Sequence, residues 1–266
     1  MKTLSQKVAV VTGAGHPKGI GRAIALKLAQ QGATVVVTDL ASAKKDLDDA
    51  VIQLKALGVD ALAVVVDITN KLDIARGVIQ VQEHFGRLDI LVNNAGVGVG
   101  SSDFIELTDQ DWNLSFQVNV KGMADFCQAV IPVMEKQNGG SIINIASLAG
   151  LGAIESIPAC YTATKFAAIG LTKQLAMNYA KSNIRCNAVC PGSIVTQMHK
   201  ATLEFIAQEH GISIEDAQAL EDANIPLGYS ADPSVVGDAV AYLASASANY
   251  MTGVAMPVAG GMSPGI

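Results

Sequence analysis

Short apolar runs alternate with helix-length segments along the first two thirds of the chain. Val8–Val11, Thr34–Thr38, Ala61–Val66, Ile90–Val92, Ser141–Ile145 and Ile184–Val189 are rich in β-branched residues and rarely alternate with polar ones. A strand that is apolar on both sides belongs inside a sheet covered on both faces, so these runs predict a parallel sheet. Between them, Gly21–Gln31, Ser42–Leu57 and Ile74–Phe85 have the length and pattern of helices. The βαβ order implies right-handed crossovers and a doubly wound α/β sheet. No repeat, low-complexity tract or linker breaks the pattern, so one domain over residues 1–266 is expected. After Thr196 the pattern changes. Gln197–Gln208 and Ser213–Asp222 read as two short amphipathic helices joined at His210-Gly211. Pro233–Ala244 reads as a helix opened by Ser234 or Asp232, and Gly253–Gly261 as a last strand and turn.

The first strand runs into Thr12-Gly-Ala-Gly-His-Pro-Lys-Gly-Ile-Gly21, followed by a helix that starts at Arg22. Glycines there allow a tight turn, close approach of a pyrophosphate, and packing of helix on strand. The helix N-terminus then offers free amides and the positive end of its dipole. This makes the sheet Rossmann-like and points to a bound dinucleotide. Asp39 closes the second strand, eighteen residues past Gly21. A carboxylate there can accept from a ribose diol and would repel a 2′-phosphate. It could equally cap the next helix, a task for which Ser42 competes. Asp67 ends the third strand, placed to meet an adenine edge or to serve only as a loop aspartate. His16 and Lys18 read as solvated loop residues, although Lys18 has the charge to sit near a phosphate.

The chemistry concentrates in Tyr161-Thr-Ala-Thr-Lys165, with Ser147 fourteen positions before the tyrosine. On a helix, Tyr161 and Lys165 are spaced i,i+4 and share a face. An ammonium held near a phenol favours the phenolate, which suits the phenol to exchange a proton with a carbonyl or alcohol oxygen. Taken alone, the same spacing describes an exposed lysine beside a half-buried tyrosine. Ser147 follows the apolar run Ser141-Ile-Ile-Asn-Ile-Ala, at the end of a strand, where its hydroxyl can hold the same oxygen.

Composition narrows the classes. Half the residues are apolar and 16% charged, with a formal charge of −6. An acidic chain lacks the basic face that nucleic acid requires. No apolar run approaches the length of a membrane span, about 18 residues. The N-terminal residues lack the apolar region of a signal peptide. Cys127, Cys160, Cys186 and Cys190 show no metal or redox spacing, and free thiols usually just pack. A reduced cytoplasmic protein without a metal is expected.

Together these motifs resemble the short-chain dehydrogenase/reductase family over nearly the whole chain. Asn93-Asn-Ala-Gly96 is similar to that family's motif after the fourth strand. Asn119, in Gln117-Val-Asn-Val-Lys-Gly122, resembles its structural and proton-relay asparagine, and Ser147, Tyr161 and Lys165 match its other catalytic positions. Pro191-Gly-Ser-Ile-Val-Thr196 resembles its Pro-Gly loop, whose threonine contacts the cofactor. The resemblance implies reversible hydride transfer between an alcohol and a carbonyl, with a nicotinamide dinucleotide as cofactor. It implies cofactor contacts at Gly13, Gly15, Gly19, Ile20, Gly21, Asp39, Asp67, Ile68, Asn93, Ala95, Gly96, Tyr161, Lys165, Pro191, Gly192, Ile194 and Thr196. Lys165 would hold the nicotinamide ribose, and Asn119 would support Lys165 through a water.

The chain departs from the family pattern in its glycine loop, where five residues (Ala14–Lys18) separate Gly13 from Gly19 instead of three. Which glycine meets the pyrophosphate is therefore open. A longer loop resembles the divergent enoyl-thioester reductases, but those space Tyr and Lys by six residues and lack the Asn-Asn-Ala-Gly motif. Ala259 stands where the family usually carries an acidic residue. The helices near 196–228 fall where the family has its substrate lid. Glu204, Glu209, Glu215, Asp216, Glu221 and Asp222 make that lid acidic, most simply as a solvated face. The substrate is expected to be a small, uncharged secondary alcohol or ketone, met by Leu148–Glu155, Val97–Gly100, Ser193 and the lid. A 3-oxoacyl-thioester reductase and a non-catalytic NAD-sensing protein are the competing readings. Asp39 against Lys18 favours NAD over NADP. The apolar face of Trp112–Met134 and the small-residue helix Thr162–Ala176 suit a homo-oligomer, by family resemblance a tetramer.

Overall fold

Among the described residues, seven strands form one parallel sheet: β1 (Val8–Thr12), β2 (Thr34–Asp39), β3 (Ala61–Val65), β4 (Ile90–Asn93), β5 (Gly140–Ile145), β6 (Ile184–Pro191) and β7 (Ala255–Val258). Their order across the sheet is β3-β2-β1-β4-β5-β6-β7. A computed structural model describes residues 2–263, so Met1 and residues 264–266, the ends of the expected domain, lie outside the described residues. The helices are α1 (Ile20–Gln30), α2 (Lys44–Ala56), α3 (Lys71–Phe85), α4 (Asp109–Phe116), α5 (Met123–Lys136), α6 (Ala159–Tyr179), α7 (Gln197–His210), α8 (Ile214–Ala223) and α9 (Ser234–Ala244). Of these, α1, α2 and α9 cover one face of the sheet, α3, α5 and α6 the other, and α7 and α8 pack on each other. This is a doubly wound, Rossmann-like α/β fold.

The lack of polar alternation in the strands has its cause in the two cores. Along β2, Val35 and Val37 pack with Ile24 and Leu28 of α1, Leu47 and Leu54 of α2, and Val236 and Val240 of α9. Val36 points the other way, into Val64, Ile74, Val78, Phe126 and Val130. Each such side chain, fully buried, contributes about 1.5–3 kcal/mol of transfer free energy. The strand order reverses between β1 and β4, both of which start new halves of the sheet. Ligands of such sheets bind beyond the carboxyl ends of the strands at that reversal.

Element ends differ from the sequence pattern where side chains cap. Asn70 accepts from the amides of Leu72 and Asp73, so α3 starts at Lys71 rather than Ile74. Neither Asp39 nor Ser42 caps α2, which follows a 3-10 turn over Ala41–Ala43. For α9 it is the Asp232 carboxylate that accepts from the Ser234 amide, at 2.8 Å. Gly211, at φ 65°, closes α7 in the left-handed region where glycine carries no penalty. Between α4 and α5 the helix continues without a break, but Gln117–Gly122 adopts π geometry.

Candidate active site

The loop after β1 leaves the sheet in steps that its residues dictate. Gly13 turns at φ 64°, and a Cβ there would lie 2.7 Å from the Cα of Ala95. The chain then runs on beside β2: the Ala14 amide donates to the Thr38 carbonyl at 3.1 Å. The Gly15 amide donates to Asp39 Oδ2 at 2.8 Å, and the Leu40 amide to Asp39 Oδ1 at 2.8 Å. The extra length is taken up by an exposed turn at His16–Lys18, closed by the Gly19 amide on the His16 carbonyl at 3.0 Å. His16 Nδ1 accepts from the Lys18 amide at 3.2 Å. Gly19 then begins α1 with no side-chain cap. Gly21 faces the loop so closely that a Cβ would stand 2.4 Å from the Gly13 carbonyl oxygen.

Arg22 holds this arrangement from beneath, and the sequence pattern did not single it out. It is 1% exposed. Its Nε donates to the Ala14 carbonyl at 3.2 Å and an Nη to the Gly15 carbonyl at 2.7 Å, while a further bond reaches the Asp46 carbonyl of α2. Burial pulls the guanidinium below its ordinary pKa, with Asp46 and Asp49 opposing that shift. The available signal was its place on the buried face of α1, three and seven residues before Ala25 and Ala29.

The Asn93-Asn-Ala-Gly96 stretch divides its roles. Thr12 Oγ1 accepts from the amides of Asn94 and Ala95, each at 3.0 Å. The Asn94 side chain donates to the carbonyls of Thr12 and Gly13 at 2.8 and 2.9 Å, bracing the glycine loop. Asn93 turns inward: its amide donates to Asn144 Oδ1 at 2.8 Å, and Asn144 donates to Thr172 at 2.8 Å. That buried chain ties β4, β5 and α6. Asp67 Oδ1 accepts from the amide and hydroxyl of Thr69 at 2.8 and 2.7 Å, and Ile68 packs its carbonyl on Gly122.

Tyr161 and Lys165 lie on the first turns of α6. Lys165 is buried, its Nζ 5.3 Å from the centre of the Tyr161 ring. The ammonium donates to the Ile145 carbonyl at 3.1 Å, two residues before Ser147. Ser147 Oγ accepts from the Ala149 amide at 3.1 Å, which leaves its own proton free to donate. Gly96 stands between Lys165 and Asn119: a Cβ there would lie 3.5 Å from Lys165 Nζ and 3.2 Å from Asn119 Oδ1. Asn119 sits in the π segment, a distortion found often at functional sites. Its side chain accepts from the Val97 amide at 2.8 Å and donates to the Val97 carbonyl at 2.9 Å and to Thr164 at 3.1 Å. It therefore fixes the loop over the site rather than touching Lys165. Cys160 Sγ donates to the Val99 carbonyl at 3.3 Å, holding the same loop.

The Pro191–Thr196 segment closes the far side. The Gly192 amide donates to the Val258 carbonyl at 3.0 Å, and Ile194 pairs with Ala231. Thr196 Oγ1 accepts from the His199 amide at 3.3 Å, which makes it the cap of α7. The Ser193 hydroxyl, expected to meet substrate, donates to Glu221. Of the six carboxylates of the expected lid, Glu204, Glu209, Glu215 and Asp216 are exposed, but Glu221 and Asp222 turn partly inward. All four cysteines are buried and free, and burial pushes Cys127 up to about 12 and Cys190 up to about 11. Among the described residues, no group of His, Cys, Asp and Glu is arranged to hold a metal ion.

Comparison with known proteins places this geometry among oxidoreductases. The family model described as "Enoyl-(Acyl carrier protein) reductase" matches residues 13–263. "Oxidoreductase UcpA" of Escherichia coli O157:H7 is 37% identical over 263 residues, 98% of this chain and 96% of that protein. The "3-oxoacyl-[acyl-carrier-protein] reductase FabG" of Thermotoga maritima is 36% identical over 259 residues, 97% of this chain and 98% of that protein. Among solved structures, an NAD+-bound xylitol dehydrogenase matches with a TM-score of 0.90 at 31% identity, covering 97% of this chain and 99% of that one.

Proposed function

We propose that this chain, which belongs to the short-chain dehydrogenase/reductase family, interconverts a secondary alcohol and its ketone with NAD as the hydride carrier. The observation that carries the reading is the buried Lys165 ammonium beside the Tyr161 ring, anchored on the Ile145 carbonyl next to Ser147. A tyrosine so placed exchanges the proton of the substrate oxygen, and the Ser147 hydroxyl donates to that oxygen as charge develops on it.

The residues present fit a dinucleotide. The uncapped start of α1 offers amides to a pyrophosphate, and Gly13 and Gly21, which have no room for a Cβ against Ala95 and the Gly13 carbonyl, let the loop pack closely enough to present that helix end. Asp39 spends one acceptor site per oxygen on backbone amides, so each oxygen keeps capacity for a ribose hydroxyl. By the family resemblance Asp67 would meet the adenine edge and Lys165 would hold the nicotinamide ribose. Bound there, the nicotinamide supplies or accepts the hydride. Asn119, through Val97, and Cys160, through Val99, keep the loop over the reacting atoms in place.

The similarity to FabG supports a second reading, reduction of a 3-oxoacyl thioester. The exposed acidic residues of the lid favour the small uncharged substrate, because phosphopantetheine carriers are themselves acidic and dock on basic surfaces. The test is NAD-linked oxidation across secondary alcohols, polyols, hydroxysteroids and hydroxyacyl thioesters. Turnover of free alcohols is expected; efficient turnover of thioesters alone would replace the first reading with the second. The apolar residues Leu114, Phe116, Phe166 and Met177, exposed on α4 and α6, support a homotetramer, to be checked by light scattering. Four buried thiols, and no helix among the described residues long and apolar enough to cross a membrane, support a cytoplasmic location.

A further inference from the structure

Two lid helices meet over a polar centre that the proposed reaction does not use. His199, Leu203 and Ala207 form the buried stripe of α7, spaced i,i+4,i+8. On α8 the buried position is Ala217, and Glu221 follows it at i+4 on the same side. The Glu221 carboxylate faces His199, with Oε2 2.8 Å from Nε2, and its Oε1 accepts from the Ser193 hydroxyl. Ser193 also lies 2.9 Å from the Ser230 hydroxyl. Asp222 Oδ1 in turn accepts from the Ser230 amide and hydroxyl at 2.7 and 2.8 Å and from Gln218 at 2.9 Å. Burial would raise the Glu221 pKa, but the bonds from His199 and Ser193 outweigh it and hold the carboxyl below its ordinary value. The carboxylate is central and grips both neighbours, so this is not the serine–histidine–acid order of a hydrolase.

What this centre holds in place lies one residue away. Met198 precedes His199 and points to the cleft: a Cβ on Gly98 would lie 3.7 Å from Met198 Cε and 3.6 Å from Tyr161 Cδ2. Met198 and Tyr161 thus flank the same glycine. We propose that Glu221 is a positioning residue: by gripping Ser193 and His199 together, it fixes the first turn of α7 and sets where Met198 stands across from Tyr161. Its kinetic consequence rests on the alcohol–ketone reading above; its structural consequence does not. Losing the grip frees the lid and enlarges the substrate space, so substrate KM rises while kcat and dinucleotide affinity hold.

The test is hydrogen–deuterium exchange of the NADH-saturated protein, joined to steady-state kinetics. In Glu221→Ala, amides of Gln197–Thr202 should exchange at least about tenfold faster, with the sheet unchanged. Substrate KM should rise about tenfold with kcat within about threefold. His199→Ala should match it, and the double variant should be no worse than either, as expected for one coupled unit. Glu221→Gln, whose side-chain amide can accept from Ser193 and still hydrogen-bond the His199 ring, should restore wild-type exchange. If Glu221→Ala fails to fold, Ser193→Ala removes one arm and should show the same effect in smaller measure. Unchanged exchange in α7, or additive effects in the double variant, would overturn the proposal whatever the turnover. Absence of turnover with every alcohol would instead count against the functional reading, with the exchange result still deciding the role of Glu221.

Discussion

Replacing Asp39 by Ala is the sharpest probe of the dinucleotide site. The carboxylate is pinned by two backbone amides, Gly15 and Leu40, each at 2.8 Å, and cannot swing away from an incoming phosphate without breaking them. A 2′-phosphate on the ribose would stand about 4 Å away, and at an effective dielectric near 20 that repulsion is about 4 kcal/mol per unit charge. Salt and the part-open cleft reduce it; even half, about 2 kcal/mol, is roughly thirtyfold in affinity. Lys18 offsets little of this, because it sits on the exposed turn that absorbs the extra loop length. Wild-type protein should therefore bind NADH about 30- to 1,000-fold more tightly than NADPH. In Asp39→Ala the diol loses bonds to a charged acceptor, worth about 1.5–3 kcal/mol, so NADH affinity should fall about 10- to 100-fold. NADPH affinity should rise by about 30-fold or more as the repulsion is removed, so the preference for NADH is lost. Titration of nicotinamide fluorescence measures both without knowledge of the substrate. Tighter binding of NADPH by the wild type, or an unchanged ratio in the variant, would refute the reasoning.

Two further predictions follow from packing and charge. Gly21→Ala places a methyl 2.4 Å from the Gly13 carbonyl oxygen and 2.5 Å from Asn94 Nδ2, so the loop must shift. It should lower stability by about 1–3 kcal/mol and weaken NADH binding, seen by thermal melting and titration; a variant that matches wild type in both would show that the loop yields freely. Asp89 is buried at the start of β4, accepting from Arg87, Lys7 and the Val8 amide. Burial would raise its pKa, but those bonds outweigh burial and hold it below the ordinary carboxylate range. Stability from a depressed carboxylate is present above its unfolded pKa, near 3.9, and lost as pH falls through the folded value. Asp89→Asn should thus cost about 2 kcal/mol at pH 7 and progressively less below about pH 4, measured by urea melts. A penalty independent of pH would contradict the assignment.

β1, β2, β4, β5 and β6 were legible because each is buried on two sides, which leaves an unmistakable apolar run. The Tyr161–Lys165 pair was legible because i,i+4 spacing is all that a helix needs to put them on one face. What escaped was set by contacts between distant residues. Arg22 acts through carbonyls of a loop and of α2, and nothing in its immediate neighbours announces them. The π segment at Gln117–Gly122 carries no periodic signature, so the orientation of Asn119 towards Val97 and Thr164 appears only in three dimensions. Glu221 was counted with five other acids on a solvated face. Its i,i+4 relation to Ala217, and that of His199 to Leu203, held the signal, but only the crossing of α7 and α8 joins the two stripes.

The central claim is that Tyr161 exchanges the substrate proton in a hydride transfer. It is tested most directly by single-turnover oxidation of the best alcohol, followed as NADH appears, in wild type and Tyr161→Phe. The substitution keeps the ring beside Lys165 and Gly98 and removes only the hydroxyl. The rate should fall by about 10²–10⁴-fold while the enzyme still binds NADH. A Tyr161→Phe enzyme within about threefold of wild type would contradict the account.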